Sequence, residues 1–168
     1  PLCNQGTRPA EMARYWVHHA EHAWLPASLV EGGEGAESLS FKADDDYSGE
    51  IITLPGKDWT NLAEVSPEQE AGVDDACSLP VVSEAALLHT VRVRYLRDLT
   101  YTRVSRVLIA LNPFRSMPIY SSQVMDRYMA ASDSMELPPH IFCVSKDALQ
   151  GLKESGRNQA VLISGESG

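Results

Sequence analysis

Residues 160–168 read AVLISGESG, and this segment decides the fold class of the chain. An apolar, partly β-branched run leads directly into a turn that is bounded by glycines. This order is typical of a buried strand that enters a phosphate-binding loop with the pattern G-x-x-x-x-G-K-[ST]. The first four loop positions match, whereas the lysine would be the third residue after them. A plain turn without a ligand is the alternative interpretation. The candidate phosphate-binding residues are Gly165, Glu166, Ser167 and Gly168.

The composition limits the class of protein to which the chain can belong. Its 168 residues carry a net charge of −9, which argues against broad binding to nucleic acid or to anionic membranes, because both need a basic face. Cys3, Cys77 and Cys143 are too far apart for metal-ligand spacing, and this favours a reduced intracellular compartment. No apolar run approaches the roughly 20 residues of a membrane span. The chain begins at Pro1 and ends within a motif, so we expect part of a larger fold.

The first third of the chain predicts a small β-barrel. Four segments have the apolar or alternating pattern of short strands, and Gly-rich and Asp-rich turns separate them. Several short strands with intervening turns over about 45 residues favour a barrel. The predicted strands lie at residues 15–17, 23–30, 37–43 and 51–54. We therefore divide the chain into an irregular end at 1–14, a barrel at 15–56, a linker at 57–82 and a region of mixed strands and helices at 83–168.

The linker is acidic and contains few large apolar residues, which fits either a segment wrapped over a surface or a disordered one. After it, Ser83 is a predicted helix N-cap, and the apolar residues that follow have helical spacing. Residues 101–102 and 106–112 predict a hairpin, whose long apolar second strand we expect to be central in a sheet. Two further helices are predicted at 122–129 and from 138–139 to about 153, before a final strand at 160–163.

Three other motifs have simpler explanations than a ligand site. The histidines at positions 18, 19 and 22 lie in a predicted strand and loop, and no fourth candidate metal ligand is nearby in sequence. Surface histidines are therefore favoured over a metal site. The aspartates at 44–46 lack the other positions of a calcium loop. The arginines at 92, 94, 97, 103 and 106 form a basic run that could pair with the acidic linker or hold an anion, and a solvated helix end is the favoured interpretation.

Several motifs in order resemble the start of the myosin motor head. Residues 112–120 (NPFRSMPIY), 138–142 (PPHIF) and 158–168 (NQAVLISGESG) are similar to patterns of that family. Upstream, residues 83–95 (SEAALLHTVRVRY) and 98–102 (DLTYT) are similar as well. Residues 15–54 resemble the SH3-like barrel that precedes many myosin motors. The resemblance is strong over about 90 residues and weaker over about 45 more. It is specific because several motifs occur in order at the right spacing, whereas any one motif alone would be weak.

The resemblance implies an actin-based motor that binds ATP with Mg and hydrolyses it. In such heads the Asn-Pro-aromatic-basic segment and the following tyrosine border the adenine, and two prolines with an aromatic ring suit a flat base. The Mg ligands, the actin-binding region and the light-chain sites would lie outside these residues. We therefore expect a cytoplasmic, cytoskeletal protein, and no ATPase activity from these residues alone. By position the adenine-side residues are Asn112, Pro113, Phe114, Arg115 and Tyr120.

The expected fold class is α/β: a small SH3-like β-barrel, then the first strands and helices of a P-loop NTPase motor domain with an incomplete sheet. Because the missing neighbours of the final strand would come from later sequence, we predict that Val161, Leu162 and Ile163 lack part of their cover. One alternative is a non-catalytic remnant whose barrel binds a Pro-rich peptide through Trp16, Trp24 or Tyr47, although core positions are favoured for the two tryptophans. Another is an unrelated P-loop enzyme, against which the long preceding region argues.

Overall fold

The computed structural model describes residues 13–44, 47 and 49–165. Within them, the chain forms two compact units. Of the described residues, the first unit comprises those up to 71 together with 83–89, and the second comprises 72–82 and 90–165. Of the predicted irregular end at residues 1–14, residues 1–12 lie outside the described residues, and Arg14 begins the first strand. The same holds for Asp45 and Asp46 and for the loop residues Glu166, Ser167 and Gly168.

The first unit is built on a five-stranded antiparallel sheet. Its order is β4-β3-β2-β1-β5, so β4 and β5 lie at the two edges. The strands are β1 (Arg14–His19), β2 (Ala23–Glu31), β3 (Ser38–Ala43), β4 (Ile51–Pro55) and β5 (Ala63–Glu64). The four strands predicted between residues 15 and 54 are confirmed, with bounds that differ by one or two residues. The SH3-like closure of this sheet and the domain boundaries stay predictions.

The alternating pattern of β3 explains where the core of this unit lies. Successive strand residues point to opposite faces, and in β3 the residues Leu39 and Phe41 are fully buried while their neighbours are not. They pack with Val17 of β1 and Ala27 of β2 in one apolar cluster. Trp16 is also buried, and its indole N–H donates a hydrogen bond to Gln69 Oε1 at 3.1 Å.

The predicted linker contains short regular elements rather than a single extended run. A 3-10 helix (Gly56–Asn61), β5, helix α1 (Pro67–Ala71) and a second 3-10 helix (Ala76–Ser78) follow one another. β5 joins the sheet through the pair Tyr15 and Glu64. Helix α2 (Glu84–Leu96) follows, and Ser83 caps it as predicted, since its Oγ accepts a hydrogen bond from the Ala86 N–H at 3.1 Å.

The second unit contains a two-stranded hairpin and two helices. β6 (Tyr101–Val104) pairs with β7 (Val107–Ala110) as predicted. The prediction that the second strand is central is wrong for the described residues, because β7 pairs only with β6 and Val107 is exposed. An apolar sequence favours burial but does not by itself supply a neighbouring strand. Helices α3 (Ser122–Ala130) and α4 (Ile141–Ser155) confirm the two predicted helices.

The predicted strand at 160–163 does not form in the described residues. These residues belong to no strand, and the side chains of Leu162 and Ile163 are 93% and 87% exposed. A strand is stable only when a neighbour pairs with its N–H and C=O groups, and this segment has none here. The prediction that Val161, Leu162 and Ile163 lack part of their cover is confirmed.

Two arginines of the basic run between residues 92 and 106 do not form the solvated helix end that was favoured for it. Arg94 and Arg103 are buried rather than solvated, so that interpretation is wrong for both. Arg94 pairs with Asp74, which lies in the acidic region between residues 57 and 79. Arg103 donates to the carbonyls of Ser134 and Leu137 at 3.4 and 3.1 Å. Among the described helices, none combines the length and the apolarity that crossing a membrane requires.

Candidate nucleotide-binding site

The loop after β7 carries the five residues that were predicted to border a base. Asn112 holds the start of this loop with both of its oxygens. Its side-chain Oδ1 accepts a hydrogen bond from the Phe114 N–H at 2.8 Å, and its carbonyl accepts one from the Tyr95 hydroxyl at 3.3 Å. Asparagine makes this local turn readily because its amide reaches the backbone two residues later. The loop is therefore tied to the C-terminal half of α2.

Phe114 projects from this turn with its ring in solvent. Its side chain is 88% exposed, and its φ is +51°, a left-handed conformation that is uncommon for an aromatic residue. The ring therefore does not pack in the core of the second unit. An exposed aromatic ring provides a flat apolar face that a base can stack on.

Arg115 and Pro113 line a cavity of about 230 Å³. The guanidinium of Arg115 forms an ion pair with the Asp98 carboxylate, and this hydrogen bond and charge raise the pKa of Arg115. A pocket of this volume is smaller than the range of about 300–1,000 Å³ for drug-sized ligands, so it suits one ring system rather than a whole nucleotide. Its lining residues are Tyr95, Leu96, Asp98, Thr100, Pro113 and Arg115.

Tyr120 contacts a different set of side chains. Its hydroxyl lies 2.8 Å from the Tyr101 hydroxyl, and its ring is 5.6 Å from the His140 ring between centroids. Burial raises the pKa of Tyr101, and the hydrogen bond to Tyr120 adds to this effect. Tyr120 keeps 56% of its surface exposed. It is thus anchored at the hydroxyl and contacts the His140 ring in a tilted arrangement.

The structure brings some of the predicted site residues together and leaves others apart. Pro113 and Arg115 share the cavity, while Asn112, Phe114 and Tyr120 do not line it. Gly165 is exposed and does not line it either.

Two comparisons with known proteins bear on these motifs. The model of the myosin head (motor domain) family matches residues 73–168, which is more than half of the chain. The chain belongs to the myosin head family. The matched region contains every residue of the loop after β7 and all of the candidate phosphate-binding residues.

Curated myosins are similar over nearly the whole chain. Unconventional myosin-VI of Mus musculus is 39% identical over 158 residues, which cover 91% of this chain and 12% of that protein. The high molecular weight form of myosin-1 of Acanthamoeba castellanii is 31% identical over 91% of this chain and 9% of its own length. Myosin-J heavy chain of Dictyostelium discoideum is 31% identical over 94% of this chain and 7% of its own length. The chain thus spans about a tenth of the length of these myosins.

Four residues that line the first cavity were not predicted from the sequence as site residues. Tyr95, Leu96, Asp98 and Thr100 stand before the hairpin, whereas Pro113 and Arg115 follow it. The β6–β7 hairpin brings these two segments side by side. The hydrogen bond from the Leu111 N–H to the Thr100 carbonyl at 2.9 Å extends the pairing of the hairpin by one step. The opposite charges of Asp98 and Arg115 were the sequence feature that could have indicated this contact. Charge alone does not indicate which pairs meet across a hairpin.

A second cavity of about 570 Å³ lies elsewhere in the second unit. Its charged lining includes Asp74, Asp75, Glu136 and Arg103. Burial acts to raise the pKa of Asp75, but hydrogen bonds from the backbone N–H groups of Cys77 and Ser105 and the charge of Arg103 outweigh it, so the pKa is lowered. Asp74 pairs with Arg94, and the Asp75 carboxylate lies near the charge of Arg103. In the part of the chain that is described, no cluster of three or more His, Cys, Asp or Glu could hold a metal ion.

Proposed function

We propose that this chain forms the base-binding side of the ATP site of an actin-based motor. The observation that carries this proposal is the cavity at the loop after β7, where Pro113 and Arg115 meet a half-buried tyrosine ring. The resemblance of residues 112–120 to the adenine-side segment of myosin heads supports it, and so does membership of the family. Gly165, Glu166, Ser167 and Gly168 would open the phosphate loop of the same site.

Each residue of the loop has a defined task in this proposal. Pro113 has a fixed φ, so the backbone that faces the base loses little conformational entropy on binding. Arg115 can lie over an aromatic base, because its guanidinium is planar and Asp98 holds it in place. Asn112 keeps the turn closed through its hydrogen bond to Phe114. The rings of Phe114 and Tyr120 offer apolar faces at the rim.

The phosphates and Mg would be held at the other end of the nucleotide. Backbone N–H groups of a Gly-rich loop bind phosphate oxygens, and Mg supplies charge neutralisation during phosphoryl transfer. Such transfer also needs the loop lysine, a metal ligand and a positioned water, and residues 1–168 contain no G-K-[ST] sequence after Gly165. We therefore propose that the 168-residue polypeptide alone does not hydrolyse ATP. A sensitive phosphate-release assay that detects turnover by it would contradict this.

Partners and location follow from the same proposal. Actin filaments and light chains would bind other parts of the heavy chain, and the protein would be cytoplasmic and associated with the cytoskeleton. Sequencing the transcript beyond the codon of Gly168 tests this directly. Ala-Gly-Lys-Thr at the next four positions supports the motor, whereas a stop codon supports a non-catalytic remnant.

The binding experiment uses the full-length product of the gene that encodes this chain. Arg115→Ala should weaken ATP binding by about three- to thirtyfold, the range expected for one cation–π contact. Binding of inorganic tripolyphosphate, which has no base, should not change. Lys57→Ala is the control, since it removes the same charge from an exposed position in the first unit. Equal affinities of Arg115→Ala and the parent for ATP would overturn the assignment.

The alternative of a peptide-binding barrel receives less support. A groove for a Pro-rich peptide needs clustered exposed aromatic rings. Trp16 is buried and engages Gln69, so it cannot serve in such a groove. Trp24 is half-buried against the ring of His18, at 5.4 Å between centroids.

A further inference from the structure

A buried histidine stands where α4 begins. His140 is 4% exposed. Its Nδ1 accepts a hydrogen bond from the Phe142 N–H at 3.1 Å, so the side chain caps the helix. A cap satisfies one of the N–H groups that have no partner within the first turn. Because Nδ1 is an acceptor, the neutral ring carries its proton on Nε2.

Four aromatic rings surround this imidazole. All lie within the range of about 4.5–7 Å between centroids in which aromatic pairs attract one another. The ring of Tyr128 stacks on it with an interplanar angle of 30°, and that of Tyr101 meets it edge-on. The centroid distances are 4.6 Å to Phe142, 4.9 Å to Tyr128, 5.0 Å to Tyr101 and 5.6 Å to Tyr120.

The imidazole behaves in this cluster as a flat, mostly apolar ring. Its buried Nε2 has no side-chain hydrogen-bond partner among the described residues, and the backbone of Ile119 lies near the ring. Burial lowers the pKa of His140, and the backbone of Ile119 offsets this only in part. The ring is therefore neutral at neutral pH. A neutral ring can stack on tyrosine without the desolvation cost of a buried charge.

We propose that His140 is a positioning residue that holds the ring of Tyr120 at the rim of the nucleotide site. This inference rests on the proposed function, in which Tyr120 borders the base. Tyr120 is more than half exposed, so few neighbours limit its rotamers. Its two closest anchors are the Tyr101 hydroxyl and the His140 ring. His140 in turn is fixed by the start of α4 and by Tyr128 of α3.

A positioning residue and a residue that only supports the fold have different effects on ligand binding. A tyrosine that is held in the productive rotamer loses less entropy when a base stacks on it. Loss of the holding ring should therefore weaken ligands that have a base and spare ligands that lack one. A general loss of structure would weaken both kinds of ligand.

The test substitutes the ring and keeps the helix cap. His140→Asn retains a side-chain oxygen that can cap α4, since asparagine is among the best N-caps. In the full-length gene product, ATP affinity should fall about two- to tenfold, the range of one aromatic contact. Affinity for inorganic tripolyphosphate should stay the same. His18→Asn, at an exposed histidine of the first unit, is the matched control.

A second substitution shows whether His140 acts through Tyr120. Tyr120→Ala should weaken ATP binding alone, and adding His140→Asn to it should cause no further loss. If Tyr120→Ala leaves ATP affinity unchanged, the proposed base site is wrong at this residue. If Tyr120→Ala weakens ATP binding and His140→Asn does not, the positioning role alone is overturned. A parallel loss of ATP and tripolyphosphate binding in His140→Asn also overturns it, because His140 is then structural.

Discussion

The guanidinium of Arg94 forms an ion pair with the carboxylate of Asp74, and the two partners differ sharply in burial. The Arg94 side chain is 6% exposed, whereas that of Asp74 is 58% exposed. Arg94 also donates to the Tyr101 carbonyl at 2.8 Å and to the Thr102 hydroxyl at 3.1 Å. One buried cation therefore joins α2, the start of β6 and the acidic region before α2. We expect the mostly solvated carboxylate to contribute least among these partners.

Substitution of the two members of this pair should have unequal effects. Arg94→Ala removes hydrogen bonds from a charged group and leaves the Tyr101 carbonyl without this donor, so the free energy of unfolding should fall by about 3 kcal/mol. Asp74→Ala should cost less, about 1–2 kcal/mol, because it leaves the buried guanidinium without its counter-ion but removes a carboxylate that is mostly in water. Urea denaturation of the two variants measures the difference. Equal losses would show that the ion pair, rather than the carbonyl contacts, provides the stability.

The lowered pKa of Asp75 predicts a dependence of stability on pH. A group whose pKa is lower in the folded state contributes stability above its unfolded pKa and loses it as the pH falls through the folded pKa. The usual value is 3.8, so the free energy of unfolding should decrease as the pH falls below about 4. Asp75→Asn should reduce this slope. Asp126→Asn, at an exposed carboxylate of α3, is the control.

Gly56 is expected to tolerate no side chain. A Cβ at this position would lie 1.6 Å from the Ala36 carbonyl oxygen, and backbone cannot move aside as a flexible side chain can. The Gly56 N–H also donates to the Glu37 carbonyl at 2.8 Å. Gly56→Ala should therefore destabilise the first unit by about 3 kcal/mol or more, in the upper range of single substitutions. Gly33→Ala, where no atom lies within 4 Å of the added Cβ, should change stability by less than about 0.5 kcal/mol. Thermal melting of both variants distinguishes these outcomes.

Substitution of Phe114 shows whether this residue contributes to the stability of the fold. Its ring is exposed, so Phe114→Ala should alter the free energy of unfolding by less than about 0.5 kcal/mol. Phe114→Gly should stabilise the loop, because glycine adopts a positive φ at no steric cost. Equilibrium denaturation of both variants is the measurement. A loss above about 1 kcal/mol in Phe114→Ala would indicate packing that the structure does not contain.

The apolar segment before Gly165 should contribute little to the stability of this chain. Leu162→Ser should change the free energy of unfolding by less than about 0.5 kcal/mol, since its side chain is in water. Leu25→Ser, at a fully buried leucine of β2, should cost at least about 3 kcal/mol. The pair can be compared in one urea titration. A similar cost at both positions would mean that residue 162 is covered in solution.

The outcome for particular elements shows what could be predicted from sequence. β3 was predictable because alternate residues face the core, and α2 because a serine cap precedes a run with helical spacing. The predicted final strand and the central position of β7 were wrong for the same reason. A strand depends on a partner strand, which can come from any part of a chain, and apolar residues do not specify that partner. In the candidate site, the motif indicated Pro113 and Arg115, but no local pattern indicated Asp98.

The sequence by itself determined the family, the order of most strands and helices, and the loop that carries the candidate base site, because these depend on local spacing and on motifs in series. Only the tertiary structure decided which charges are buried, which side of the hairpin completes the cavity, and that His140 lies among four aromatic rings. Those properties depend on residues far apart in the chain. Burial and pairing of such residues are set by how the elements pack, and residues 160–163 remain exposed because none of the described elements packs over them.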